Sequence, residues 1–184
     1  MDYVLNMPDI DKNQIFIFGA SLGGVMATYS AHRYQEKVNG LILQNTIASA
    51  KSIIDDKAPF LNVFLPFVLR LKMSSNERIK QIGLPIMFII GLNDTSVPPH
   101  QMEVMYDSAI IAKERDRYVI PGSDHYLTWY YGGKEYDIRL SDFISRNNNT
   151  GLSDSPESEF YKLFTGDITN YIKRQATNYI QSGF

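Results

Sequence analysis

The sequence has no cysteine. That excludes a disulfide framework, a thiolate metal site and a cysteine nucleophile. It favours a reducing, intracellular compartment without requiring one. Histidine is nearly as scarce, with 3 in 184 residues, so chemistry that needs an imidazole base has few candidates. Neither sign of charge dominates: 18 Lys and Arg stand against 20 Asp and Glu, for a formal net charge of -2. Without a basic excess there is no electrostatic footprint for nucleic acid. Long hydrophobic runs are missing too. The most apolar stretch, residues 58–71, is interrupted by Pro59, Asn62 and Pro66, and it falls short of the ~20 residues that cross a bilayer. It reads as a helix pair or cap element, with membrane-surface contact as the alternative. The N-terminus, Met1-Asp2-Tyr3-Val4-Leu5-Asn6, has neither the basic flank nor the apolar core of a secretory signal.

What remains is an ordinary globular composition, 44% hydrophobic and 21% charged in 21.0 kDa, enough to bury a core within one domain. Four short apolar runs stand out: Ile15-Phe16-Ile17-Phe18, Gly40-Leu41-Ile42-Leu43, Ile86-Met87-Phe88-Ile89-Ile90 and Tyr118-Val119-Ile120. Continuous rather than alternating apolarity is the pattern of strands buried on both faces. The intervening segments, such as 22–34 and 99–111, are long enough for crossover helices. The expectation is a parallel sheet with helices on both faces. In such sheets ligands lie beyond the carboxyl ends of the strands, so chemistry is sought just after each run.

The first run leads into Gly19-Ala20-Ser21-Leu22-Gly23, a G-x-S-x-G turn between a strand and a helix. Glycines at 19 and 23 let strand and helix approach closely. The sharp turn pushes the Ser21 hydroxyl into the open, and the Leu22 backbone N–H, at a helix N-terminus, faces a developing oxyanion. A tight turn in a non-catalytic α/β domain is the alternative. The third run ends in Gly91-Leu92-Asn93-Asp94, which places a carboxylate on the same rim. It is suited to fixing a histidine tautomer, or is a simple turn aspartate. His125 follows the fourth run in Pro121-Gly122-Ser123-Asp124-His125, as a general base or a structural loop residue. His32 lies about 16 Å along the helix from Ser21, and His100 opens a helix. The order Ser21, Asp94, His125 is that of the α/β-hydrolase fold, not of the chymotrypsin or subtilisin folds.

These segments resemble the BEM46-like α/β hydrolases, the group of alpha/beta hydrolase domain-containing protein 13. The resemblance runs from Tyr3 to about Phe143. It rests on Tyr3-Val4-Leu5 with Pro8-Asp9-Ile10-Asp11, Phe18-Gly19-Ala20-Ser21-Leu22-Gly23-Gly24, Gln44-Asn45-Thr46, Gly91-Leu92-Asn93-Asp94 with Val97-Pro98-Pro99, and His125 with Thr128-Trp129. It implies Ser21 as nucleophile, Asp94 as acid and His125 as base of a serine hydrolase acting on an ester, thioester or amide. It implies frequent membrane association and no metal or organic cofactor. Position 20 departs from the group: Ala replaces the usual Arg and removes a charge beside the serine.

Members of the group carry several strands and two helices before the segment that starts here at Tyr3, among them the loop with the second oxyanion donor. The resemblance therefore implies an N-terminally truncated α/β-hydrolase fold. A protein partner or a preceding segment of a longer chain is then expected to cover the sheet edge at the first strand, which would otherwise be an apolar template for aggregation. Residues 1–145 form the expected hydrolase part, 146–159 a polar linker, and 160–184 an amphipathic helix that packs back on the domain or docks on a partner. Two functions follow: an enzyme acting on a small acyl substrate through Ser21, with the 58–71 segment lining an acyl pocket, or a catalytically impaired scaffold subunit of a larger assembly.

Overall fold

The computed structural model describes residues 1–8, 10–57 and 74–148. The chain opens with a short helix α1 (Asp2–Leu5) and then alternates: β1 (Phe16–Ala20), α2 (Leu22–Tyr34), β2 (Gly40–Gln44), α3 (Ala50–Lys57), α4 (Ser75–Ile79), β3 (Ile86–Gly91), α5 (Pro99–Ser108), β4 (Arg115–Ile120) and α6 (Thr128–Asn147). The four strands form one sheet in the order β1-β2-β3-β4. Every pairing is parallel, with Phe16 opposite Gly40, Leu41 opposite Ile86 and Ile86 opposite Arg115. Parallel neighbours need crossovers; α2, α4 and α5 supply them on one face, and α6, after the last strand, covers the other, so that helices lie on both faces as the apolar runs predict.

The pleat explains how continuous runs serve two faces. Leu41, Leu43, Ile86, Phe88 and Ile90 join one buried cluster with Ala27 and Ala31 of α2, Ile79 of α4, and Met102 and Met105 of α5. The alternate residues, Ile42, Met87 and Ile89, join Tyr136, Phe143 and Ile144 of α6 on the other face. Each fully buried large side chain contributes roughly 1.5–3 kcal/mol. α2 buries Gly24, Ala27, Thr28 and Ala31, the i, i+3, i+4, i+7 stripe of a core-facing helix. α5 starts on prolines at 98 and 99, where a missing N–H does no harm. α6 is kinked at Gly133, which takes φ 53.

Three boundaries differ from the sequence expectation. β4, at the edge of the sheet among the described residues, starts at Arg115, ahead of the apolar run, because its polar residues find ionic partners. Asp116 is held by Arg139 at 2.9 Å, and Arg117 by Glu103 at 2.9 Å. α5 ends at Ser108, where Ala109 leaves the helical region at ψ 55. Arg146 and Asn147, expected to open a linker, still belong to α6. The guanidinium of Arg146 meets Glu114 at 2.7 Å, and the Asn147 amide donates to Glu114 at 3.0 Å. The remaining linker, the 160–184 helix and the 58–71 cap segment lie outside the described residues. Among the described residues no helix is long and apolar enough to cross a membrane.

Candidate active site

Ser21, Asp94 and His125 come together at the carboxyl ends of β1, β3 and β4. Ser21 sits between β1 and α2 at φ 52, ψ -126, a conformation that only surrounding structure can impose on a non-glycine residue. Its backbone N–H donates to the Gln44 carbonyl at 2.9 Å, tying the turn to the end of β2, and its carbonyl accepts the Gly24 N–H at 3.1 Å. Close approach of strand and helix falls on two glycines. A Cβ at Gly19 would lie 2.5 Å from the Ala27 methyl, and one at Gly24 only 2.0 Å from the Thr46 hydroxyl oxygen. Gly23, expected to share this role, is corrected: among the described residues nothing lies within 4 Å of a Cβ there, because Gly24, not Gly23, lies on the face of α2 turned to the sheet.

Asp94 ends a tight turn after β3, its N–H directed to the Gly91 carbonyl at 3.3 Å. One carboxylate oxygen, Oδ1, accepts the backbone N–H groups of Ser96 and Val97, both at 2.8 Å. The other, Oδ2, lies 2.6 Å from His125 Nδ1. With its carboxylate accepting on both oxygens, Asp94 assigns the ring proton to Nδ1 and leaves Nε2 as an acceptor. Nε2 lies 2.9 Å from Ser21 Oγ. The Asp94 and His125 side chains are 1% and 11% exposed, so water competes little for these bonds. An imidazole so held can take the proton of the serine hydroxyl and return it to a leaving group.

The other acids and bases stand apart. Asp124 braces the loop before α6, its Oδ1 accepting the Tyr126 and Leu127 N–H groups at 2.9 and 2.8 Å. His32 meets Gln81 at 3.3 Å, and His100 meets Asp56 at 3.2 Å on the surface. Asp55 and Asp56 lie in α3 and Asp107 in α5. Behind the site, Tyr136 donates to Gln44 Oε1 at 2.7 Å, and burial pushes its phenol far above the usual range. Among the described residues no group of three or more His, Asp or Glu side chains could hold a metal ion.

Sequence reasoning singled out Asn45 and Thr46 only within a family pattern, and both prove to be part of this rim. Thr46 Oγ1 lies 3.4 Å from the Gly19 carbonyl it faces under the turn. Asn45, at φ 45, reaches both the end of β3 and the His125 loop. A polar residue at the end of a fully buried strand was the available signal.

A family profile described as alpha/beta hydrolase fold matches residues 6–71. The alpha/beta hydrolase domain-containing protein WAV2 of Arabidopsis thaliana is 32% identical over 148 residues, 74% of this chain and 48% of that protein. Protein bem46 of Schizosaccharomyces pombe is 30% identical over 155 residues, 83% of this chain and 51% of its own length. The chain thus spans about half the length of these relatives. Among solved structures, the acylaminoacyl peptidase of Pyrococcus horikoshii superposes with TM-score 0.64 at 17% identity, over 85% of this chain and 28% of that one. The acetyl xylan esterase of Paenibacillus sp. R4 gives TM-score 0.61 at 16% identity, over 79% of this chain and 49% of the esterase. At such identities the structures speak for the fold alone, whereas the sequence relatives speak for descent: the chain belongs to the BEM46-like α/β hydrolases, as a part of their α/β-hydrolase fold.

Proposed function

We propose that this chain is a serine hydrolase that cleaves an ester, thioester or amide through an acyl-enzyme on Ser21. The observation that carries the reading is the unbroken series from Ser21 Oγ through His125 to Asp94, with bonds of 2.9 and 2.6 Å. Ser21 Oγ attacks the carbonyl carbon while its proton passes to His125 Nε2. The carbonyl π pair moves onto oxygen, where the Leu22 N–H, among the first of α2 and without an acceptor inside the helix, stabilises it. Collapse expels the leaving group, which takes the proton from Nε2. Water then repeats the sequence and releases the acid and the free serine. Asp94 holds the ring tautomer and the developing imidazolium throughout.

Acyl-enzyme trapping tests this reading. Matched aryl ester, thioester and anilide substrates with one acyl group are each quenched in acid after mixing. The reading expects the acyl mass on the Ser21 peptide with at least one of the three, and none in Ser21→Ala. Turnover unchanged in Ser21→Ala would overturn it.

A second reading, a catalytically impaired scaffold subunit, draws on the flank at β1. Among the described residues β1 pairs on one side alone, and Phe18, Leu22 and Met26 are 49%, 55% and 64% exposed. A further strand on this edge, from a longer chain or a partner, satisfies its open N–H and C=O groups. Native mass measurement separates the sources. A single heavier chain favours the first, co-migration with another polypeptide the second, and a soluble 21.0 kDa monomer neither.

A further inference from the structure

The sheet hands over to the site at residues 44 and 45. In a parallel ladder, a residue donates its N–H to one carbonyl of the neighbouring strand and accepts, two residues further along that strand, an N–H on its own carbonyl. The Asn45 N–H keeps the first bond, to the Ile89 carbonyl at 3.1 Å. The second partner is the Gly91 N–H, and it is accepted by the Asn45 side-chain oxygen Oδ1 at 2.8 Å. At φ 45 the backbone turns out of the sheet, and the side-chain amide takes the place of the peptide carbonyl. Asparagine tolerates this left-handed conformation better than most residues.

The same amide has donors on its other end. Asn45 Nδ2 donates to Thr128 Oγ1 at 2.8 Å and faces the carbonyls of Asp124 and His125, each at 3.4 Å. One buried side chain, 1% exposed, thus bridges the backbone that launches the Asp94 turn and the loop that presents His125. The preceding residue, Gln44, accepts the Ser21 N–H. All three segments of the Ser–His–Asp series therefore meet on two consecutive residues of one strand end.

We propose that Asn45 is a positioning residue that sets the spacing between Asp94 and His125 by joining their two backbones through its amide. The chemistry of the position admits few substitutes. Aspartate keeps the acceptor for Gly91 but turns a second oxygen toward two carbonyls. Leucine offers neither donor nor acceptor. Glycine keeps the backbone turn and leaves the Gly91 N–H and the loop carbonyls unanswered. The effect on rate rests on the hydrolase reading, but the effect on the Asp94–His125 bond does not.

The test uses Asn45→Asp and Asn45→Gly in the full native chain, beside Ile79→Val as a folding control in the opposite cluster. Two signals are read well below the melting temperature of every variant. The first is the far-downfield proton resonance of the His125 Nδ1–H···Asp94 bond, which needs no turnover and is assigned by its loss in His125→Ala. The second is fluorophosphonate labelling of Ser21, separated into reversible binding and the covalent rate constant. Both Asn45 variants are expected to lose or broaden the resonance and to lower the covalent rate constant on the order of 10–100-fold with binding unchanged, the scale of losing a group that orients a reacting one. Ile79→Val leaves both signals alone. Parent-like resonance and rate in Asn45→Asp would overturn the proposal, as would equal losses in Ile79→Val. If the parent shows the resonance but no labelling, the hydrolase reading fails, and the Asn45 proposal still stands or falls on the resonance.

Discussion

β1 and β3 begin from the same kind of sequence, an unbroken apolar run, and end in different surroundings. Every residue of β3 is buried, whereas in β1 only Gly19 is buried and Phe18 is exposed. The same contrast continues into the helices. α5 buries Met102 and Met105 against β3, while Leu22 and Met26 of α2 face outward. An apolar run reports that a strand is suited to burial on both faces; it does not say what buries it. The difference divides the site as well. Asp94 hangs from a fully buried strand, and Ser21 stands at a flank that is open among the described residues.

The largest expected effect comes at the packed end of that contrast. Asp94→Asn should lower turnover of any accepted ester by about 10⁴-fold, because the imidazole loses the partner that fixes its tautomer. A loss below tenfold, measured as kcat/KM, would mean that His125 is oriented by something else.

Next comes packing. Phe88→Ala should destabilise the fold by ~3–5 kcal/mol. Phe18→Ala should stay within ~0.5 kcal/mol if the flank is open to solvent. Denaturant melts of the two variants sharpen the comparison, since a cost for Phe18→Ala near that of Phe88→Ala would show β1 to be covered in the native protein.

Adjacent glycines give a finer pair. Gly24→Ala pushes a methyl into Thr46, itself buried under the turn, and should cost ~1–3 kcal/mol with a loss of Ser21 reactivity. Gly23→Ala should be neutral or up to ~1 kcal/mol stabilising through helix propensity. Thermal melts showing the reverse order would relocate the close approach to Gly23.

The smallest effect is ionic. Burial raises the Glu114 carboxyl, but hydrogen bonds from Arg146 and Asn147 outweigh it and hold the group below its ordinary value. A carboxylate lowered by folding adds stability above its unfolded value and loses it as pH falls through the folded value. Glu114→Gln should therefore flatten the acid limb of the stability curve, by less than ~1 kcal/mol for a partly exposed pair. An unchanged acid limb would remove Glu114 from the account.

Much of this was legible in the sequence. Ile86-Met87-Phe88-Ile89-Ile90 could only be a short, doubly buried strand, and the rim after it had to hold Asp94. The order of Ser21, Asp94 and His125 named the fold. The first half of β4 was not legible, because an edge strand needs no apolar alternation and Arg115-Asp116-Arg117 takes its partners from distant residues. Nor was the share of each glycine, since a G-x-S-x-G pattern does not say which face of α2 meets the sheet. Asn45 was hidden for a third reason: its role depends on a positive φ that lets a side-chain oxygen stand in for a peptide carbonyl, and no periodicity encodes that.

The most direct test of the central claim is fluorophosphonate labelling of the chain purified from its native source, read by intact mass, with Ser21→Ala as control. The account expects one adduct on the parent, none on Ser21→Ala, and the adduct mapped to the peptide holding Ser21. A folded parent at full occupancy that takes no adduct would contradict it and leave the hydrolase fold here as a scaffold.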